Sequence, residues 1–341
     1  MAKSAVVLFN LGGPDSPEAV EPFLFNLFRD PAIITLPNPL RWLIAKLISS
    51  RRAATAREIY QKIGGSSPLL ANTKAQAQAL ETELGSDYRV FIAMRYWHPL
   101  NTETAKAVKD WGAERVFLLP LYPQYSTTTT ASSFRSWGEA AGSVGLTVET
   151  RSLCCFPSNR NFVQAMSRSL KDALEQRENS PVRVLFSAHG LPEKIVAAGD
   201  PYQWQVEASV AAVREELNHS SLDSVVCYQS RVGPLKWIGP STEEEIHRAG
   251  RDGKGLIVVP IAFVSEHSET LVELDMDYRD LAAKEGVPFY DRLPTVGTEE
   301  GFIAGLADLV RGLAEIRAPL TSEEGPRLCP GSFGGCAFGK G

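Results

Sequence analysis

An α/β fold of two Rossmann-like lobes with parallel sheets is what this sequence predicts, and three observations carry the prediction. Short apolar runs recur, each followed by a turn and then a helical pattern, which implies right-handed βαβ crossovers. The plan is run through twice, and the third strands of the two halves are written alike, LLPLYPQYS beside VVPIAFVSE. The chain has 341 residues, 44% hydrophobic and 22% charged, which suits an ordinary protein of two domains.

In chain order, Ala5 to Leu11 reads as a buried strand that ends in Gly12-Gly13-Pro14-Asp15-Ser16-Pro17. Pro17 suits the first turn of the helix that follows. Within Ile33 to Ile48, the segment LRWLIAKLI forms a short helix that exposes Trp42, Leu43 and Leu47. It faces either its own domain or a membrane or ligand. Arg51 to Ile63 is helical and stops at Gly64-Gly65. Tyr88 to Met94 is the second strand and runs into Arg95-Tyr96-Trp97-His98-Pro99. A helix from about Asn101 to Gly112 leads to the third strand, Arg115 to Leu121. Ser126 to Ser133 is almost all hydroxyl residues, and its place after a strand makes it a polar crevice wall rather than a floppy linker.

The second half repeats the scheme with strands at Arg183 to Phe186, Ser224 to Tyr228 and Leu256 to Val259. A crossover helix from about Asn161 to Gln176 separates the halves. The expected organisation is an N-terminal lobe over 1–150, a crossover over 151–180, a C-terminal lobe over 181–320 and a cysteine-containing tail over 321–341.

Charge and motifs exclude several classes. A net charge of −5 and a pI near 5.7 argue against a nucleic-acid partner. Neither GxGxxG nor GxxxxGK[ST] occurs, so nucleotide binding has no support. Five cysteines without a signal peptide indicate a reducing, cytoplasmic location. No apolar run reaches the roughly 18 residues of a membrane span, so any membrane association is peripheral, on the inner face.

The stretch from Gly255 to Ala282 organises the rest. It opens as a buried strand limited by Pro260 and continues as a helix. At about 100° per residue, Glu266, Glu269, Glu273 and Asp277 share a narrow arc, and Leu271, Leu274, Tyr278 and Leu281 form a separate core-facing stripe. By the same phase His267 points elsewhere. Like charges in a row cost helix stability. Such a row is commonly a solvated face, but here it begins at the carboxyl end of a buried strand, where open α/β sheets place their ligand crevice. Carboxylates leading into a crevice suit the movement of cations or protons. His189 also follows a strand, before a Gly-Leu-Pro turn, and can take a proton or a metal. Strand-end aromatic and apolar residues (Leu11, Tyr96, Trp97, Tyr122, Tyr125, Trp237, Phe263) suggest a flat, apolar ligand. Arg52, Arg95, Arg231 and Lys236 can pair with acidic groups on its rim.

The stretches LFNLGGPDSPEAV, IYQKIGGSSPL, RYWHP, LPLYPQYSTTT, FSAHGLPEKIV, YQSRVGPLKWIGPST and PIAFVSEHSETLVELDMDY together closely resemble the ferrochelatase family, from about Val6 to Tyr278. The resemblance implies a type II chelatase fold and insertion of ferrous iron, as substrate, into a porphyrin. It carries the family's histidine onto His189 and its catalytic glutamate onto Glu269. Glu266 and Glu273 match acids of the metal path. Leu11, Arg52, Tyr60, Ser67, Arg95, Trp237 and Phe263 match porphyrin-binding positions. Leu11, where the coproporphyrin-using branch has tyrosine, points to protoporphyrin IX as substrate and protohaem as product. The alternatives are a coproporphyrin III ferrochelatase, another type II metal chelatase, or a porphyrin carrier without turnover. Against a carrier, four carboxylates beside the pocket do nothing for an anionic ligand. On chemical grounds His189 is the acceptor of pyrrole protons, while the carboxylates pass on iron, protons or both; the roles of His189 and Glu269 could be exchanged.

Cys329 and Cys336 lie in a glycine-rich tail, and Cys154 and Cys155 at the end of the domain crossover. Four cysteines from two segments are enough for a [2Fe–2S] cluster, which some ferrochelatases carry. The other reading is a disordered tail with free thiols. Cys227 is expected to be buried in its strand and inert.

Overall fold

The computed structural model describes residues 3–231 and 235–339; Val232, Gly233 and Pro234, inside the YQSRVGPLKWIGPST motif, lie outside the described residues. Among the described residues nine strands run in chain order: β1 Ser4–Asn10, β2 Tyr88–Met94, β3 Arg115–Pro120, β4 Glu149–Leu153, β5 Val182–His189, β6 Ser224–Gln229, β7 Gly255–Pro260, β8 Tyr290–Arg292 and β9 Leu320–Thr321. They form two sheets, β2-β1-β3-β4-β9 and β6-β5-β7-β8, with parallel pairing throughout. Leaving aside β9, the two orders are the same, so the doubled plan in the sequence is a doubled topology.

The described residues divide into two compact units. One comprises Met1–Cys155 and Leu306–Leu328, the other Phe156–Gly305 and Cys329–Gly341. Each unit is therefore discontinuous in sequence, whereas one continuous run per lobe was expected.

In the first unit β1 is buried at every residue, as a central strand of a parallel sheet covered on both faces must be. Its side chains Ala5, Val7 and Phe9 pack with Ala105, Val108, Val116, Leu118 and Trp137. The helix over Asn38–Gln61 has 24 residues and fuses two helices that the sequence reading had kept apart. Nothing in its middle breaks it, since neither glycine nor proline occurs between Leu40 and Gln61. Trp42, Leu43 and Leu47 are exposed on it, as expected, together with Leu40. The hydroxyl-rich segment is ordered and largely buried: Ser126, Thr130, Ser132 and Ser133 are at most 1% exposed, and a helix begins at Thr130.

In the second unit β7 is likewise buried throughout. Leu256 and Val258 pack with Leu185, Cys227 and Ile246. The chain passes from β5 to β6 on one side, then crosses to place β7 on the other side of β5. That is a topological switch point, and a crevice opens outside the carboxyl ends of the strands flanking it. His189 ends β5, and the segment after β7 carries Glu266, Glu269 and Glu273. Backbone pairing therefore supplies the meeting point.

One element departs from the expectation in kind. Glu269–Asp277 is a π-helix of nine residues, followed by an α-helix over Tyr278–Lys284. The amide of Tyr278 reaches the carbonyl of Glu273, the i→i+5 bond that defines this winding. The α-helical phase assumed for the acids and the apolar stripe does not apply. Val272 is buried in its place beside Leu274 and Tyr278, whereas Leu271 is half-buried. Ser268 stands at the N-cap of this helix without a side-chain capping bond. Among the described residues no helix is long and apolar enough to cross a membrane.

Candidate active site

Glu269 lies between two imidazoles. Its Oε1 is 3.6 Å from Nε2 of His189, and its Oε2 is 3.4 Å from Nε2 of His267. The other nitrogen of each ring meets a backbone carbonyl: Nδ1 of His189 is 2.6 Å from Gly190 O, and Nδ1 of His267 is 3.1 Å from Ser265 O. A carbonyl only accepts, so both Nδ1 atoms carry hydrogens, and the tautomers follow from these partners. In neutral His189 the basic lone pair is then on Nε2, directed at Glu269. The ring is 40% exposed, open to a ligand. Its backbone is pinned by the Tyr202 hydroxyl, which donates to His189 O at 3.1 Å.

His267 stands differently. Its Nε2 comes closer to Glu269, 3.4 Å against 3.6 Å for His189, and its ring is only 14% exposed. Its ring lies against Phe263, with centroids 4.6 Å apart. Partial burial works to raise the pKa of Glu269, but the charges and hydrogen bond of His189 and His267 outweigh it and hold the carboxyl down at about 2. The Glu269 side chain keeps 34% of its surface exposed.

Glu273 has a different environment. It accepts from the Ser230 amide at 2.8 Å, the Ser230 hydroxyl at 2.5 Å, the Tyr278 hydroxyl at 2.8 Å and Gln229 Nε2 at 3.4 Å. Ser230 adopts φ 60° to do this, a left-handed backbone rare outside glycine and one that marks functional sites. Burial and the neighbouring Glu269 charge raise the Glu273 pKa, against the lowering by these donors. Two carboxyls one turn apart are thus pushed in opposite directions, which gives them different protonation tendencies. Glu266 is placed elsewhere: it pairs with Arg292 at 2.6 Å and accepts from the Thr295 amide at 2.9 Å.

Trp237 completes this part of the site. A Cβ on Gly190 would stand 2.9 Å from Gln229 O and 3.2 Å from the Trp237 ring, so only glycine lets the ring approach the turn after His189. Arg231 and Lys236, suggested for a ligand rim, are paired with Glu244 at 3.6 Å and Glu193 at 2.9 Å.

In the first unit Leu11 and Tyr60 join one apolar cluster with Val20, Phe23, Leu24 and Tyr96. Ser67 meets the same turn from the other side; a Cβ on Gly13 would collide with its hydroxyl. Arg52 is exposed and lies over the Phe28 ring at 5.8 Å. Arg95 is engaged internally, at 2.7 Å from both Asp30 Oδ2 and Ser132 Oγ.

Comparison with known proteins identifies the chain. A profile of the ferrochelatase family matches residues 3–313. Proteins named ferrochelatase are similar throughout: that of Phenylobacterium zucineum (strain HLK1) is 53% identical over 345 residues, 99% of each chain. That of Pelagibacter ubique (strain HTCC1062) is 48% identical over 339 residues, 98% of each. The chain belongs to the ferrochelatase family. Its activity is therefore that of a metal chelatase acting on a porphyrin. Among solved structures, the sirohydrochlorin chelatase SirB of Bacillus subtilis subspecies spizizenii in complex with cobalt shares the fold, with a TM-score of 0.54 at 13% identity, over 92% of this chain and 96% of that one.

For a ferrochelatase site, His267, Ser230, Tyr202 and Tyr278 are the functional candidates that sequence reasoning passed over. His267 was discarded on helical phase, yet it precedes the helix. The signal available for it was its place two residues before Glu269 in SEHSE.

Cys154, Cys155, Cys227, Cys329 and Cys336 are all buried, and none forms a disulfide. The Sγ atoms of Cys154 and Cys155 are 2.9 Å apart, and Cys329 Sγ accepts from Gln205 Nε2 at 3.1 Å. Burial pushes the Cys227 thiol up to about 12, which makes it inert. Among the described residues no group of three or more His, Cys, Asp or Glu is arranged to hold a metal ion.

The lowered Glu269 pKa has a sign that can be tested. A carboxyl with a folded-state pKa of about 2 against an ordinary 4.5 contributes stability that is fully present above the ordinary value and lost as pH falls towards 2. Urea unfolding of the wild type and Glu269→Gln at stepped pH should show a wild-type advantage that is flat above about pH 5 and shrinks below about 4.5. An advantage that grows on acidification would contradict the pairing.

Proposed function

We propose that this ferrochelatase inserts Fe²⁺ into protoporphyrin IX, giving protohaem and two protons, with His189 taking the pyrrole protons and Glu269 stabilising the imidazolium that results. The observation that carries the reading is the pair of contacts on His189: Nδ1 is occupied by Gly190 O, so the free base is Nε2, and Nε2 is the atom beside Glu269. A base is efficient when its conjugate acid is stabilised where it forms. His267 meets the other oxygen of Glu269 and adds to the lowering of that carboxyl. Glu273, whose pKa is raised, is suited to receive a proton from the site or to meet the incoming cation. Trp237 and Phe263 of the second unit offer apolar surface suited to a macrocycle; in the first unit Leu11 and Tyr60 offer apolar surface, and Arg52 and Ser67 polar groups suited to carboxylates. Leu11 supports protoporphyrin over coproporphyrin, since an apolar residue suits the less polar macrocycle. Glu266 belongs to this reading as support for the metal path, through its hold on Arg292.

His189→Ala should lower turnover by at least about 100-fold, as expected for loss of general base catalysis, while porphyrin still binds. Glu269→Gln should be comparably severe, and Glu273→Gln should act mainly on the apparent affinity for iron. Steady-state assays with ferrous iron, run with protoporphyrin IX and with coproporphyrin III, read both points. Activity of His189→Ala within a few-fold of wild type, or preference for coproporphyrin III, would sink the respective claim.

A peripheral membrane role is supported by Leu40, Trp42, Leu43 and Leu47, exposed on one helix, with the exposed Arg51 and Arg52 further along it. Apolar residues flanked by basic ones suit the interface of an anionic bilayer. Sedimentation with liposomes containing anionic lipid should be reduced in the Leu43→Ser, Leu47→Ser double variant; a wild type that stays in the supernatant removes the idea.

A [2Fe–2S] cluster on Cys154, Cys155, Cys329 and Cys336 is supported by the burial of all four thiols. When bound it would supply redox-sensitive colour and added stability; no step of the insertion runs through it. Anaerobically purified protein should contain iron and sulfide in equal amounts and lose both in Cys336→Ser. A colourless, iron-free preparation rejects the cluster.

A further inference from the structure

The π winding of Glu269–Asp277 needs an explanation from outside the helix itself. Such windings are rare, mostly single turns, and persist where the surroundings hold them. Here the surroundings are β8, a strand of three residues. The buried Tyr290 hydroxyl donates to the carbonyl of Leu274 at 2.7 Å, inside the π-helix. Arg292, its side chain only 8% exposed, places Nη1 2.6 Å from Glu266 and Nε 3.0 Å from Asp275, with Nη2 also on Asp275. Arg279 closes the arrangement from the helix side: Nε reaches Asp275 O and Nη1 reaches Tyr290 O, both at 2.9 Å.

The geometry follows from where these partners sit in sequence. Glu266 precedes the π-helix and Asp275 lies within it, so one rigid guanidinium sets the separation of two points that flank Glu269 and Glu273. The winding decides where those two acids point. An α-helix turns about 100° per residue and a π-helix, at roughly 4.4 residues per turn, about 82°, so over the four residues from Glu269 to Glu273 the two differ by roughly 70°. With Glu269 kept on its histidines, α winding would swing Glu273 away from Ser230 and Gln229.

We propose that Tyr290 and Arg292 are positioning residues of the metal-insertion reaction, which act by holding residues 269–277 in the π winding so that Glu269 and Glu273 are presented together. The proposal rests on the roles given to those two acids above. No atom of Tyr290 or Arg292 needs to touch porphyrin or iron.

The test uses the full-length protein and the variants Tyr290→Phe, Arg292→Lys and Arg292→Gln, with Glu269→Gln in parallel. Arg292→Gln should lower kcat roughly tenfold or more, since small misplacements of reacting groups are costly, and raise KM for Fe²⁺ several-fold. Porphyrin affinity should stay within about twofold, because no porphyrin contact is removed. Hydrogen exchange should accelerate over 266–278 and stay unchanged in β5 and β7. Tyr290→Phe should show the same pattern more weakly, and Arg292→Lys should recover part of the loss. Wild-type kcat and KM per folded molecule in Arg292→Gln, or faster exchange spread over the whole unit, would overturn the proposal. An active Glu269→Gln would instead overturn the reading of the site, and the holding role would then be decided by the exchange pattern alone.

Discussion

The contact between Glu269 and its two histidines is the interaction on which the rest of this unit depends. It joins three stretches of chain: the end of β5, the loop after β7 and the first residue of the π-helix. A carboxylate alone in this position would be penalised by partial burial, and a lone histidine would have no reason to hold one orientation. Together they settle each other's state, with a carbonyl on each Nδ1 leaving the Nε2 atoms to face the carboxyl. The parallel pairing of β5 with β7, which sets Ser187 opposite Pro260, fixes this encounter in the backbone before any side chain is chosen.

From that contact the demands run outwards. Glu273 must be reached from the same helix, and the π winding meets that need at the cost of less favourable backbone hydrogen bonding. Ser230 accepts a left-handed backbone to donate twice to Glu273. Tyr278, at the point where π becomes α, gives its hydroxyl to the same carboxyl. Each of these is unfavourable or unremarkable in isolation. They are consistent only as parts of one site in which two carboxyls carry different protonation tendencies.

Much of this was legible in the sequence. The βαβ order, the doubling, the strand ends bearing His189 and Glu269, and the buried Cys227 all followed from local pattern, because parallel strands buried on both faces write themselves as continuous apolar runs. What was hidden depended on partners far away in the chain. Glu266 has the same letter and nearly the same setting as Glu269, but Arg292, 26 residues on, takes it up. Val272 takes the core place expected of Leu271 because the winding is π rather than α. His267 was lost to the same assumption of α phase. Arg95, which reads as a free cation, is tied to Asp30, 65 residues earlier.

That last pair shows how two lobes of one topology came to differ. In the first unit the Asp30 side chain is fully buried and its carboxyl accepts from Arg95, Tyr96, Ser132 and the Ala32 amide. A carboxylate so completely partnered, with a guanidinium among its donors, has little capacity for new bonds. Its neighbours at the strand ends are glycines, tyrosines and hydroxyls. In the second unit the equivalent strand ends bear two imidazoles and two carboxyls that are only partly enclosed and bonded to one another. The same sheet order therefore supports one lobe whose strand-end acid is fully partnered and another whose strand-end acids are only partly enclosed. The difference lies in whether the strand-end charges are fully satisfied by the fold or left for a ligand to complete.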